Sequence, residues 1–176
     1  MNYDFSKLLF RCSGLGNLMT EPKTKAAKDA GEFGETVKTF LTELYVTKKY
    51  GRTKDISNKY IEKGLLSEED SITLYSRFKK DFFKKNDQRL SNEFLTGEPD
   101  LFIGKEVHKA MKIIDTKTSW DIFSFFKSKN EDLPKNYFYQ AQGYMALTGA
   151  TSASIAFCLV NTPDNLIEDE KRKLFY

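Results

Sequence analysis

The spacing of apolar residues changes part-way along the chain, from a helical period to the short runs of strands. Gly14, Gly16, Asn17 and Pro22 mark residues 14–26 as a loop. From about 27 to 50, Phe33, Val37, Phe40, Leu41 and Leu44 fall on one helical face, and Tyr50-Gly51 closes that helix. A short helix is predicted over 55–64, ended by Gly64. Ser67 then opens another, with Asp70 as the carboxylate of a capping box and Tyr75, Phe78 and Phe82 as its apolar stripe.

After Asn86 the pattern is that of strands: 90–95, 99–103 and, beyond a hairpin loop from Gly104 to His108, a buried strand over 109–116. Helices over 119–127 and 136–148 follow. Ser152 to Val160 reads as a buried strand stopped by Asn161-Thr162-Pro163, and Asp164 stands where it caps a last helix running to Tyr176. This order predicts an α/β fold, a mixed central sheet of about four or five strands flanked by helices on both faces. No repeat, low-complexity tract or Pro/Gly/Ser-rich linker interrupts it, so 1–176 is read as one domain.

Composition narrows the function more than the fold. Lys plus Arg total 28 against 25 for Asp plus Glu, a net charge of +3, which excludes a histone-like polycation but allows a local basic patch beside an acidic site. Arg77, Lys79, Lys80, Lys84 and Lys85, interleaved with Phe78, Phe82 and Phe83, are either a solvated helix face or a surface that tracks phosphates. Cys12 and Cys158 form no C-x-x-C pair and His108 is the single histidine, so the roughly four ligands of a zinc or iron–sulfur site are lacking. Nothing around these three residues suggests a nucleophilic Cys–His pair. Met1 to Arg11 has no signal-peptide core and no run reaches transmembrane length, which predicts a cytoplasmic protein with reduced thiols and no membrane partner.

The chemistry concentrates in Gly97-Glu98-Pro99-Asp100 and Asp115-Thr116-Lys117. Alternation along the strand puts Asp115 and Lys117 on one face with Met111 and Ile113. Asp100 starts the preceding strand, so a hairpin can carry it to the same end of the sheet. Simple pairing about the Gly104–His108 loop sets Asp115 opposite about residue 97 rather than 100, roughly 10 Å out of register at ~3.3 Å per residue, a gap that a splayed end or bulge has to close. Paired carboxylates suit Mg²⁺, a hard ion that takes oxygen ligands and keeps waters for the substrate to displace. A neighbouring lysine can offset charge gathering on a phosphate. A bare D-x-K is common as a surface pair; the Pro-Asp before the hairpin and the apolar approach Met111–Ile114 distinguish this one.

These two stretches, with Ile113-Ile114 and Thr118-Ser119 around the second, resemble the motif of the PD-(D/E)XK nucleases, and more narrowly phage recombination exonucleases of the lambda-exonuclease and YqaJ type and RecB-type nuclease domains. Three further stretches match in family order. Gly31-Glu32-Phe33-Gly34-Glu35 resembles a G-x-x-x-E whose glutamate helps hold metal, which carries onto Glu35. Gln140-Ala141-Gln142-Gly143-Tyr144 resembles the Q-x-x-x-Y motif, which carries onto Gln140 and Tyr144 as DNA-binding residues. Arg11-Cys12-Ser13 resembles an Arg and Ser that contact DNA phosphate, which carries onto Arg11 and Ser13.

The resemblance implies a restriction-endonuclease-like core and DNA cleavage with Mg²⁺ or Mn²⁺. Asp100, Asp115 and the Thr116 carbonyl would hold the ion, with Glu35 assisting and Lys117 steering the attacking water. The expected activity is that of an exonuclease on double-stranded DNA ends in phage or mobile-element recombination, in the host cytoplasm if phage-encoded. A single-strand annealing protein and further copies of the chain are the implied protein partners. An endonuclease of the same fold, an inactive DNA-binding module and a partner-binding domain with fortuitous motifs are the alternatives. The chain departs from the family in carrying Asp115 where Glu is commoner, and in lacking the four cysteines of the iron–sulfur members.

Overall fold

A computed structural model describes residues 3–54 and 58–174. Its first strand, β1 (Phe10–Arg11), runs through a 3₁₀ turn at Cys12–Gly14 into α1 (Leu15–Leu18). The helix expected over 27–50 is two helices, α2 (Lys25–Asp29) and α3 (Glu35–Tyr50). Gly31, at φ +67°, turns the chain between them, and Gly51, at φ +64°, ends α3 as expected. Val37 is buried, whereas Phe33 precedes α3 and stands 63% exposed, off the expected face.

Asn58 caps α4 (Lys59–Leu66) by accepting from the backbone N–H of Tyr60 and Ile61. Gly64 lies inside this helix instead of closing it, and the expectation for 55–57 falls outside the described residues. Beyond it, α5 (Glu68–Lys79) has no capping box: Ser67 makes no side-chain cap bond. Glu68, Glu69 and Asp70 instead place negative charge over the first-turn N–H groups. Its inner stripe is Ile72 and Tyr75, the latter packed against Phe83, while Phe78 and Phe82 point to solvent.

The stretch expected as one strand over 90–95 is a hairpin, β2 (Leu90–Ser91) and β3 (Leu95–Gly97). Asn92 forms its turn, accepting from the N–H of Phe94 and Leu95. After Pro99 come β4 (Leu101–Ile103), β5 (Lys112–Thr118), α6 (Ile122–Asn130), α7 (Lys135–Thr148), β6 (Ser152–Cys158) and α8 (Asp164–Lys173). Among the described residues the strands form two mixed three-stranded sheets, ordered β1-β3-β2 and β4-β5-β6, where one sheet was expected. The division falls at Glu98-Pro99-Asp100, where proline has no N–H for a ladder. The α/β class with flanking helices stands.

Alternation along β5 sends neighbouring side chains to opposite cores. Ile113 packs with Cys12, Ala110 and Tyr144 on the α7 side; Ile114 packs with Leu101 and Ile72 on the α5 side. The α7 side is tight enough to require glycine. A Cβ on Gly97 would lie 2.7 Å from Cys12 Sγ and 2.8 Å from the Tyr144 ring, and one on Gly143 would lie 2.6 Å from Leu15.

Helix α4 is fastened by its lysines. Lys63, 2% exposed, donates to the backbone oxygens of Trp120 (2.7 Å) and Val160 (3.2 Å), and burial lowers its pKa. Lys59 pairs with Glu170 of α8 at 2.6 Å. Among the described residues no helix is long and apolar enough to cross a membrane.

Candidate active site

The β4–β5 ladder pairs Leu101 with Ile114, Phe102 with Ile113 and Ile103 with Lys112. One step further along the same register, Asp100 faces Asp115. The expected offset to residue 97 does not arise, because the connection is longer than a simple loop. Gly104, at φ +150°, and a 3₁₀ turn at Val107–Lys109 take it to Met111, whose N–H donates to the Ile103 carbonyl at 2.7 Å.

Asp100 is fixed from across the ladder. Its Oδ2 accepts from the Thr116 backbone N–H at 2.7 Å and from the Thr116 hydroxyl at 2.8 Å. Asp115 is held from α7, where Gln140 Nε2 donates to its Oδ1 at 3.4 Å and to the Tyr144 hydroxyl at 3.0 Å. The Lys117 ammonium lies 2.7 Å from Asp115 Oδ2, on the shared strand face that alternation predicts. That contact is a close ion pair, and the buried Oδ2 has no other partner among the described residues.

Burial raises the pKa of both carboxyls. For Asp100 burial is opposed by the two Thr116 bonds and the Lys117 charge. For Asp115 burial is reinforced by the charge of Asp100 and opposed by Lys117, leaving it at about 6. Two buried acids side by side, with one lysine between their charges and water, are a site that gains from a further cation. Among the described residues no three His, Cys, Asp or Glu side chains converge as a ready metal cage. Two carboxylates with neighbouring backbone oxygen nevertheless match what Mg²⁺ needs, since it retains waters and recruits substrate oxygens.

These groups open onto a hollow of about 490 Å³, walled by Tyr60, Ile61 and Leu65 of α4, by Thr116 and Thr118 of β5, and by Tyr137 and Gln140 of α7. Glu68, the first residue of α5, completes its acidic rim; its Oε2 pairs with Lys85 at 2.7 Å, and its charge raises the pKa of both aspartates. Sequence reasoning missed Glu68. The signal is present in the sequence, because Gly64-Leu65-Leu66-Ser67-Glu68 has the same G-x-x-x-E spacing as Gly31–Glu35.

The structure does not bring Glu35 to this site. Its side chain is 88% exposed, pairs with Lys38 at 3.0 Å and lines a separate shallow hollow with Asn17 and Thr39. Tyr144 is 5% exposed with its hydroxyl turned to Gln140, so it supports the site from beneath and is not placed to touch DNA. Gln140, 8% exposed, spends its amide on Asp115 and Tyr144. Arg11 and Ser13 are exposed on β1 and the turn after it, and neither lines the hollow. Cys12 and Cys158 are buried thiols and His108 pairs with Glu106, so no Cys–His couple forms.

No family model and no curated protein matches the sequence. Solved structures do. A phage-related exonuclease from Haemophilus somnus 129PT is 39% identical over 91% of this chain and 72% of its own, with a TM-score of 0.75. The chain belongs to the phage-related exonuclease family. This agrees with the PD-(D/E)XK resemblance read from Pro99-Asp100 and Asp115-Thr116-Lys117. An alkaline exonuclease from Laribacter hongkongensis, LHK-Exo, shares the exonuclease fold at 15% identity and a TM-score of 0.66, over 90% of this chain and 73% of that one. LHK-Exo in complex with dAMP matches at 18% identity and a TM-score of 0.62, over 93% of this chain and 83% of that one.

Proposed function

We propose that this exonuclease-family chain is a Mg²⁺-dependent deoxyribonuclease that degrades double-stranded DNA from its ends. The observation that carries the reading is the convergence of Asp100, Asp115 and Lys117 on one hollow, with the buried Asp115 Oδ2 held, among the described residues, by Lys117 alone. Asp100, Asp115 and the Thr116 carbonyl would hold the ion, with Glu68 at the rim in the supporting place that Glu35 does not reach. A bound divalent ion supplies Lewis acidity toward the scissile phosphate. Mn²⁺ meets the same ligand set.

The chain's own residues do the rest. Hydrolysis adds the oxygen of one water to phosphorus, breaks a phosphorus–oxygen bond and delivers a proton to the leaving oxygen. Lys117 sets a positive charge where negative charge gathers on the phosphate, and its N–H groups orient the attacking water. Gln140 holds the Asp115 carboxylate in place through Oδ1. Arg11 and Ser13, facing solvent at the sheet edge, would grip phosphates outside the hollow. LHK-Exo is known in complex with dAMP, and on this reading the hollow would take a nucleotide of the DNA end. Work in phage or mobile-element recombination, beside a single-strand annealing protein in the host cytoplasm and as a self-associating chain, belongs to the same proposal and rests on the family.

Linear and closed circular duplexes, each incubated with Mg²⁺ or with EDTA, test this reading. The expected result is mononucleotide release from linear DNA only, and only with metal. Nicking or linearisation of the circle would replace the exonuclease with an endonuclease. Binding without cleavage of either would make the chain an inactive DNA-binding module.

A further inference from the structure

Helix α7 presents one more side chain to the site. Tyr137, Gln140 and Tyr144 are spaced to share a helical face. That face meets β5 where Lys117, Asp115 and Ile113 alternate toward it. Gln140 and Tyr144 serve Asp115 and the core beneath it; Tyr137 meets Lys117. The Lys117 ammonium lies 4.9 Å from the centroid of the Tyr137 ring. The ring is backed by Phe157, 6.0 Å away centroid to centroid and tilted by 59°. Phe157 is the residue beside Lys117 in the β5–β6 register, so the two strands set both the lysine and the support for the ring over it.

A lysine needs such a hold. Its ammonium rides on a flexible four-carbon stem with three rotatable donors. Lys117 is 23% exposed, and among the described carboxylates it meets Asp115 alone, at 2.7 Å. That contact holds the ammonium from one side and leaves its other side open to water. The face of an aromatic ring carries partial negative charge and attracts a cation, most strongly where water is partly excluded. Tyr137 supplies such a face at the wall of the hollow.

We propose that Tyr137 is a positioning residue: its ring face holds the Lys117 ammonium over Asp115, at the place where charge builds on the scissile phosphate. The inference rests on the reading of Lys117 given above. Because the ring acts through the lysine, its loss slows turnover and leaves substrate affinity nearly unchanged.

The test is cleavage of a short end-labelled duplex in Mg²⁺. Tyr137→Leu should lower kcat about tenfold with KM within about twofold, and Tyr137→Phe, which keeps the ring, should restore most of the loss. Because Leu could disturb the first turn of α7, a second series holds the shape nearly constant. Phe bearing one, two and three fluorines at position 137 weakens the ring's charge in steps, and log kcat should fall with each step while the melting temperature stays level. Wild-type turnover in Tyr137→Leu, a rise in KM alone, a rate in Tyr137→Phe as low as in Tyr137→Leu, or a flat fluorine series would each overturn the assignment. Lys117→Ala, run alongside, separates the two readings. If it cleaves normally, the role of the lysine fails and the inference falls with it. If it is slow while the fluorine series is flat, only Tyr137 is wrong.

Discussion

Neutralising Asp115 should stabilise the metal-free protein at neutral and alkaline pH while abolishing its function. Its carboxylate is 2% exposed, and burial together with the Asp100 charge outweighs Lys117, holding its pKa at about 6. In the unfolded chain an aspartate titrates near 3.9. Between about pH 4 and 6 the native state therefore keeps a proton that the unfolded state has released. Stability from this group is greatest at acid pH, falls as pH rises through that window, and the whole cost stands above about pH 6. At about 1.4 kcal/mol for each tenfold change in the ionisation constant, the cost of keeping this carboxylate charged is on the order of a few kcal/mol. Asp115→Asn keeps the shape without the charge. Lys117 loses its partner in the exchange but is 23% exposed and can turn to water, so a net gain of about 1–3 kcal/mol is expected. Urea unfolding in EDTA, from about pH 4 to pH 8, measures it through the midpoint and slope. The variant should exceed wild type at about pH 8, with the difference vanishing near pH 4. Added Mg²⁺ should stabilise wild type alone. A variant no more stable than wild type at pH 8, or a difference independent of pH, would refute the argument from burial.

Three further outcomes follow from the same geometry. Glu68→Gln should lower the cleavage rate by about 10–100-fold, the scale for losing a group that supports a metal site, whereas Glu35→Gln should stay within about twofold of wild type. Steady-state rates on linear duplex check both, and the reverse ranking would restore Glu35 to the site. Gly97→Ala should destabilise the fold by about 1–3 kcal/mol, since its Cβ has no room beside Cys12 and Tyr144, and urea unfolding reads the loss. Arg11→Ala should weaken DNA binding and flatten its salt dependence while leaving the melting temperature unchanged, because the side chain is exposed.

The sequence made most elements of the second half legible because strand alternation and glycine or proline breaks are local. The shared face of Asp115 and Lys117 came directly from a period of two. The pairing of Asp100 with Asp115 did not, because register depends on how many residues a connection absorbs, and the 3₁₀ turn at Val107–Lys109 leaves no local mark strong enough to count it. Glu68 went unread for a related reason. Acids at a helix start satisfy the helix dipole whether or not they serve a site, so Glu68, Glu69 and Asp70 look alike until folding sets the first of them at the rim of the hollow. Glu35 shows the converse, a motif spacing that matched at a place the fold carries elsewhere. The four-residue spacing of Gln140 and Tyr144 puts them on one helical face, but only the packing of α7 on β5 shows that this face is turned inward there.

The most direct test of the central claim is Lys117→Ala on end-labelled linear duplex DNA in Mg²⁺, with cleavage and binding followed on the same preparation. The lysine is the group expected to act chiefly as charge develops, while Asp100, Asp115 and the exposed Arg11 remain to hold metal and phosphate. Cleavage should fall on the order of 100-fold or more, the scale for losing one preorganised donor, with DNA affinity in Ca²⁺ changed by no more than about threefold. Wild-type cleavage by Lys117→Ala would contradict the account and place the nuclease activity at other residues.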